Sequence, residues 1–134
     1  MTPFSLKIVT PDGICFDGQA EELIVRTTTG DMGILAGHIN CVAPLGMGRA
    51  TVIVDGVKRY AACIGGMVSV VDGAVSLVPT TFEWSDSIDV ARAERSLERA
   101  QAVLDNKASA DADLVMAKAR LRRALIRKDV GMTK

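Results

Sequence analysis

The chain has 134 residues, of which 49% are hydrophobic, but it contains only one Trp, one Tyr and three Phe. This composition supports one modest hydrophobic core, so we expect one compact domain with an appendage. The formal net charge is zero. Because no segment has the roughly 18 apolar residues of a membrane helix and residues 1–13 lack the features of a secretory signal, we expect neither an integral membrane protein nor a secreted one.

Three Asp-Gly pairs divide the N-terminal part of the chain: Asp12-Gly13, Asp55-Gly56 and Asp72-Gly73. This dipeptide favours the tight turns of β-hairpins. The segments around these pairs are short and rich in Val and Ile, which favours strands. The predicted strands are Phe4–Thr10, Glu22–Thr27, Ala50–Val54, Val57–Ile64, Met67–Val71 and Ala74–Pro79. Together they predict a small β-sandwich or barrel.

Gly65-Gly66 interrupts this pattern between two predicted strands. Since neither residue has a Cβ atom, the pair predicts a bulge or a close approach of two backbone segments.

The three cysteines, Cys15, Cys41 and Cys63, are far apart in the sequence and odd in number. They lack the close spacing of a zinc site or a redox motif. We interpret them as reduced, buried thiols of a cytoplasmic protein.

After Trp84 the hydrophobic period changes from that of strands to that of helices. Apolar residues recur at three and four positions in two segments: Val90, Ala93, Leu97, Ala100 and Leu104, then Leu114, Ala117, Leu121, Ala124 and Leu125. This spacing predicts two amphipathic helices joined by a turn. The candidate N-caps are Ser85, Asp86, Ser87 and Asp89 for the first helix and Asp111 or Asp113 for the second. Because the apolar stripes contain nearly as much Ala as Leu, we expect the hairpin to be weakly held.

The hairpin carries an excess of positive charge. Residues 1–84 contain 5 Lys/Arg and 8 Asp/Glu, whereas residues 85–134 contain 11 and 8. From Leu114 onward the numbers are 7 and 1, which predicts an anionic partner.

The arginines of both helices are spaced so that like charges meet. Arg92, Arg95 and Arg99 share one face of the first helix, and Arg123 and Arg127 lie one turn apart on the second. The arrangement is compatible with a phosphate clamp, and also with a solvated face near Glu98 and Asp89.

Catalysis has little support in the sequence. His38 is the only histidine, which excludes a histidine-rich metal site, and the motifs of a nucleophile elbow or a phosphate-binding loop are absent. We therefore predict no catalytic residue and no metal ligand. The carboxylates Glu21, Glu22 and Asp31 are interpreted as surface groups.

Four sequence blocks in order resemble the epsilon subunit of F-type ATP synthases over the whole chain. They are Thr10-Pro11-Asp12-Gly13, Gly30-Asp31-Met32-Gly33-Ile34-Leu35-Ala36-Gly37-His38, Gly65-Gly66 and Ile88-Asp89-Val90-Ala91-Arg92-Ala93. The chain departs from the family at Ala36, where proline is common. The resemblance implies an α+β fold, with an N-terminal antiparallel β-sandwich over residues 1–84 and a C-terminal two-helix antiparallel hairpin over residues 85–134.

The resemblance further implies a non-catalytic rotor subunit of the central stalk. In this family the sandwich binds the gamma subunit and the c-ring, at the cytoplasmic face of the bacterial cell membrane. The loop Gly30 to His38 would then be an interface, with His38 as a gamma contact and Asp31 as a c-ring contact. The hairpin would be a mobile arm that inhibits ATP hydrolysis. In its extended state Arg122, Arg123, Arg127 and Lys128 would contact the beta subunit, within the head that alpha and beta form.

Some family members bind ATP as a regulatory ligand through an Ile-Asp-x-x-Arg-Ala motif, and the family has no obligatory cofactor. The resemblance implies the following ATP-binding residues here: Glu83, Ile88, Asp89, Arg92, Ala93, Arg99, Arg123 and Arg127. Within that set Asp89 would accept a hydrogen bond from the nucleotide and Arg92 would donate one.

Two other functions are weighed against this one. The basic second helix could bind nucleic-acid phosphates, although the first 84 residues are net acidic and the helices lack aromatic residues for base stacking. A small enzyme that uses His38 is the other alternative.

Overall fold

The computed structural model describes residues 2–106 and 108–133. Within these residues ten strands form two five-stranded sheets, and two helices follow. The first sheet contains, in spatial order, β2 (Gly13–Ala20), β1 (Phe4–Thr10), β9 (Ala74–Val78), β8 (Met67–Val71) and β5 (Cys41–Pro44). The second contains β10 (Thr81–Trp84), β7 (Val57–Ile64), β6 (Met47–Val54), β3 (Glu22–Thr27) and β4 (Gly30–Ile34). A 3-10 turn, Ser85–Ser87, leads to α1 (Val90–Asp105) and α2 (Asp111–Met132).

The predicted fold class, a β-sandwich followed by a helical hairpin, is confirmed. Strand pairing is antiparallel except between β1 and β9, which are parallel. Four strands were not predicted: β2, β4, β5 and β10. Their segments contain glycine, proline or charged residues that weaken the strand pattern, and they are strands because a neighbouring strand supplies their backbone partners.

The prediction that Gly30 to His38 is a loop is wrong for the first half of this segment. Gly30–Ile34 forms β4, an edge strand that pairs with β3, and the connection to β5 begins at Leu35. Alternate residues of β4 are exposed, which hides its strand character from a search for apolar runs.

The main core lies between the two sheets. Alternation along β1 buries Phe4, Leu6 and Ile8 against residues of the second sheet such as Leu23 and Val52. Cys63 also belongs to this core, and its burial raises the pKa of the thiol from 9.0 to about 12. The raised pKa keeps the sulfur protonated and unreactive, as expected for a structural thiol. Cys15 and Cys41 are only half-buried.

The glycine signals are confirmed as turns and as a close backbone approach. Asp55-Gly56 and Asp72-Gly73 turn with positive φ at both residues and join β6 to β7 and β8 to β9. Gly66 has a φ of 92°, and a Cβ atom there would lie only 2.0 Å from the carbonyl oxygen of Val78. The chain crosses from the second sheet to the first at this point, so two backbone segments must nearly touch.

The predicted start of α1 is confirmed, and that of α2 is wrong. Asp89 is the N-cap of α1, where its side chain accepts a hydrogen bond from the backbone N–H of Arg92. In contrast, Ala110 precedes α2 and offers no side-chain cap, and Asp111 and Asp113 lie inside the first turn. There they still stabilise the helix through its dipole.

The hairpin lies on the outer face of the second sheet, where α2 contacts β6 and β7. Ala62, Ile88 and Val130 form a small second cluster, flanked by the half-buried Tyr60 and Ile126. The apolar contact that holds the hairpin to the sandwich is therefore much smaller than the main core. No helix in the described part of the chain is long and apolar enough to cross a membrane.

Candidate functional site

A cleft of about 900 Å³ lies between the hairpin and the neighbouring edge of the second sheet. Ile64, Thr81 and Glu83 line its sheet side, and the facing sides of α1 and α2 line the rest. Four arginines are among the lining residues: Arg99 from α1 and Arg120, Arg123 and Arg127 from α2. Two carboxylates, Glu83 and Asp113, also line the cleft, so its lining is net positive.

One of the four arginines is paired across the cleft. The Arg127 Nη2 donates to Glu83 Oε2 at 3.1 Å, and the Arg127 Nε lies 2.7 Å from Oε1. That Nε–H is buried but not aligned for a hydrogen bond. The pair joins α2 to the edge strand β10, so it ties the hairpin to the sandwich.

The other three guanidinium groups have no acidic partner within the described residues. Arg99 donates only to the backbone oxygen of Arg95, at 3.4 Å, and neither Arg120 nor Arg123 makes a hydrogen bond or an ion pair there. An anion that entered the cleft would offset their mutual repulsion and gain charge-assisted hydrogen bonds.

Glu83→Gln is expected to weaken the docking of the hairpin by about 1 kcal/mol. The substitution keeps the shape of the side chain but leaves the Arg127 charge, only 21% exposed, without its carboxylate. Hydrogen exchange of the α2 backbone amides measures the effect, and we expect it to become about fivefold faster.

The matched control for this prediction is Glu94→Gln. The Glu94 carboxylate lies 3.7 Å from Lys128 Nζ, and both side chains are more exposed than their counterparts in the Arg127–Glu83 pair. We expect its exchange rates to stay near those of the wild type. Equal effects of the two substitutions would show that the Arg127–Glu83 pair does not hold the hairpin.

The structure brings together one half of the predicted ATP-binding set. Glu83, Arg99, Arg123 and Arg127 line the cleft, and sequence reasoning missed Arg120 beside them. Arg120 lies three residues before Arg123 and seven before Arg127, so helical spacing could have found it.

The four residues from the Ile-Asp-x-x-Arg-Ala motif do not line the cleft. Ile88 packs in the second cluster, and Ala93 is fully buried. Asp89 caps α1, and Arg92 is exposed. The motif thus forms the junction between sandwich and hairpin, and its part in nucleotide binding stays a prediction.

The predicted beta-subunit contacts face different environments in this folded arrangement. Arg123 and Arg127 line the cleft, Arg122 is exposed outside it, and Lys128 lies near Glu94. Their contact with an acidic neighbour in an extended state stays a prediction.

The two residues predicted to contact the rotor lie in different parts of the sandwich. Asp31 is on β4 and pairs with Arg26, whose Nε lies 2.7 Å from the Asp31 Oδ1. His38 is in the connection before β5, and its Nδ1 lies 2.9 Å from the backbone oxygen of Ile39. Both roles stay predictions.

An exposed, uncharged face of the first sheet was not predicted. The outward positions of β5, β8 and β9 are Val42, Pro44, Met67, Ser69, Val71, Ala74, Ser76 and Val78. Val42, Val71 and Val78 are each more than 50% exposed. We call these eight residues the open face. Its signal in the sequence is that the outward positions of β8 and β9 carry no charge and are mostly apolar, whereas the exposed side of a solvated sheet is usually polar.

The comparisons with known proteins agree with this architecture. The family model for the β-sandwich domain of the ATP synthase delta/epsilon chain matches residues 3–85, and the model for its long α-helix domain matches residues 86–130. The chain, a sandwich with a helical hairpin, therefore belongs to the ATP synthase delta/epsilon family.

The relatives narrow this class to the epsilon chains. An ATP synthase epsilon chain from Ruminococcus albus is 42% identical, and the match covers 100% of both chains. One from Bacillus velezensis is 41% identical over 98% of each chain.

A solved structure shares the fold over nearly the whole chain. A chain in the cryo-EM structure of the Euglena gracilis mitochondrial ATP synthase, OSCP/F1/c-ring in rotational state 1, matches with a TM-score of 0.84 and 23% identity. The match covers 96% of this chain and 81% of that one.

Proposed function

We propose that this chain is a non-catalytic subunit of the central stalk of an F-type ATP synthase, in which it couples gamma to the c-ring and inhibits ATP hydrolysis through its hairpin. It would act at the cytoplasmic face of a bacterial membrane, as a peripheral part of the complex. The family membership supports the general role. It also favours this role over the nucleic-acid-binding and enzymatic alternatives.

The observation that carries the coupling role is the open face. The hairpin covers the outer side of the second sheet, but the described residues leave that of the first sheet uncovered. Eight neighbouring outward positions without a charge are unusual for a solvated sheet and typical of a surface that binds another protein. His38 lies just before β5, the edge strand of this face, which agrees with its proposed contact with gamma.

The attachment of the hairpin supports the regulatory role. A small apolar cluster and the Arg127–Glu83 pair hold it to the sandwich, and such contacts can open without unfolding the main core. Opening would release Arg123 and Arg127, which with Arg122 and Lys128 could then contact an acidic surface of the beta subunit.

The cleft supports ATP sensing in the folded state. Its net positive lining suits the phosphates of a nucleotide, and closing the hairpin on ATP would stabilise the folded arm. The same arginines would thus bind nucleotide in the folded state and contact the beta subunit in the extended state.

Reconstitution of a catalytic core of alpha, beta and gamma with and without this chain tests the proposal. We expect the chain to bind the core and to lower its rate of ATP hydrolysis. Absence of binding together with unchanged hydrolysis would refute it.

A pair of variants locates the binding surface. Val71→Lys places a charge on the open face and should weaken binding to the core about tenfold or more. Val57→Lys places the same charge at a 63% exposed valine of β7, outside the open face, and should bind like the wild type. Equal binding by both variants would exclude the open face as the interface.

A further inference from the structure

The hairpin has an apolar groove on the side that faces away from the sandwich. The groove has a volume of about 490 Å³ and is lined only by residues of α1 and α2, none of which lines the cleft against the second sheet. Three leucines form its floor. Leu97 and Leu121 are half-buried, and Leu125 is 42% exposed. A stripe of leucines on the solvent side of two helices is typical of a contact surface.

The two helices give this groove rims of opposite charge. From α1, the carboxylates Glu98 and Asp105 belong to the lining. On α2, Lys118 and Arg122 come seven and three residues before Leu125, so helical spacing places them beside it. Among the described residues, Glu98, Lys118 and Arg122 make no side-chain hydrogen bond or ion pair. The α1 rim is therefore acidic and the α2 rim basic.

One contact inside the hairpin fixes how the two rims are aligned. Lys128 Nζ lies 3.7 Å from Glu94 Oε1, so these two residues are at the same height along the antiparallel helices. Four residues further along each helix axis, Glu98 is level with Ala124. At 1.5 Å per residue, this height differs from that of Arg122 by about 3 Å. The acidic and basic positions thus match in height.

We propose that two copies of this chain pair through this groove as a four-helix bundle. A rotation of about 180° around an axis parallel to the helices keeps every height and places α1 of each copy on α2 of the other. Glu98 of one copy then faces Arg122 of the other. Asp105, which accepts a hydrogen bond from Gln101 of its own helix, faces Lys118. The alternative rotation would place α1 on α1 and acidic rim on acidic rim.

The pairing requires a closed hairpin, because the leucines of the groove come from both helices. Neighbouring helices in the bundle are antiparallel, which also opposes their dipoles. By mass action, a second copy would stabilise the closed hairpin in the free chain. This inference goes beyond the proposed function and depends neither on the rotor role nor on a nucleotide.

Sedimentation equilibrium of the full chain between about 5 and about 500 µM tests the pairing. We expect a monomer–dimer equilibrium with a Kd of about 10 to 100 µM, as for a small interface. Leu125→Lys places a charge on the apolar stripe and should raise the Kd about tenfold or more. Because Leu125 is 42% exposed, we expect unchanged folding, which circular dichroism checks.

Two charge reversals test the arrangement of the copies. Glu98→Lys and Arg122→Glu should each raise the Kd about tenfold or more, because like charges then meet twice in every dimer. An equimolar mixture of the two variants should regain the affinity of the wild type, since both contacts then join opposite charges. Arg92→Glu is the matched control, because it makes the same charge change at an exposed residue of α1 outside the groove. It should pair like the wild type.

Each outcome decides the question. A chain that stays monomeric at all concentrations overturns the pairing and leaves the groove to a helix of another protein. A dimer that persists unchanged in Leu125→Lys lies on another surface, which also overturns it. If the mixture of Glu98→Lys and Arg122→Glu pairs no better than either variant alone, the proposed arrangement of the helices is wrong.

Discussion

Gly66→Ala is expected to destabilise the sandwich by about 4 kcal/mol or more, the largest effect that we predict for a single added methyl group. The new Cβ atom would lie 2.0 Å from the oxygen of Val78 and 2.6 Å from the Cα of Pro79. Both are backbone atoms of the segment between β9 and β10, so relief of the clash requires moving a strand end. The positive φ of 92° adds strain for any residue with a side chain. Urea unfolding monitored by circular dichroism measures the loss.

Gly73→Ala controls for the backbone conformation alone. Gly73 has a φ of 83°, close to that of Gly66, but no atom lies within 4 Å of a Cβ atom placed there. We expect a loss of about 1 to 2 kcal/mol, from the left-handed conformation only. If Gly66→Ala loses no more stability than Gly73→Ala, the close approach between the sheets is not a constraint. A Gly66→Ala chain that fails to fold agrees with the prediction.

Gly131→Val is expected to weaken the docking of the hairpin on the sandwich by about 2 to 3 kcal/mol. A Cβ atom on Gly131 would lie 2.8 Å from Val90 Cγ2 and 3.0 Å from Ile88 Cγ2, so valine cannot be accommodated without separating the end of α2 from the start of α1. Ile and Val side chains are stiff and yield little. In an undocked helix the substitution is favourable, because glycine is the poorer helix former. Both effects act in the same direction.

Trypsin cleavage after Arg127 and Lys128 under native conditions measures this shift. Both residues are half-buried when the hairpin is docked, so cleavage requires opening. We expect Gly131→Val to be cut at least about tenfold faster than the wild type. Met132→Val places the same residue in the neighbouring position, where the side chain is 65% exposed, and should be cut at the wild-type rate. Equal cleavage of the two variants would show that Gly131 is not needed for docking.

The strands predicted correctly are those with a strong local signal. Val57–Ile64 and Met67–Val71 have the predicted bounds, because an Asp-Gly or Gly-Gly pair adjoins each of their ends. The strands β4 and β5 have no such signal, since Gly30 and Pro44 lie within them and their outward residues are exposed. Each is a strand because it pairs with a longer neighbour: β4 pairs with β3 in a local hairpin, whereas β5 pairs with β8, more than 20 positions away.

The site was only half predicted for a related reason. Helical spacing places Arg123 and Arg127 on one face of α2, but it does not say which groups face them across the cleft. The pairing of Arg127 with Glu83 joins residues 44 positions apart and depends on how the hairpin lies on the sheet. The same arrangement places Arg120 in the cleft and leaves Asp89, the N-cap of α1, outside it.

The sandwich, the hairpin, the turn glycines and the excess charge of α2 can all be predicted from local patterns, because each depends on neighbours within a few positions along the chain. Which arginines meet, which one is neutralised by a carboxylate and which sheet face stays open could be seen only in the folded chain. Those features depend on contacts between distant segments. The hairpin can cover only one side of the sandwich, and by covering the second sheet it creates the basic cleft there and leaves the open face of the first sheet exposed.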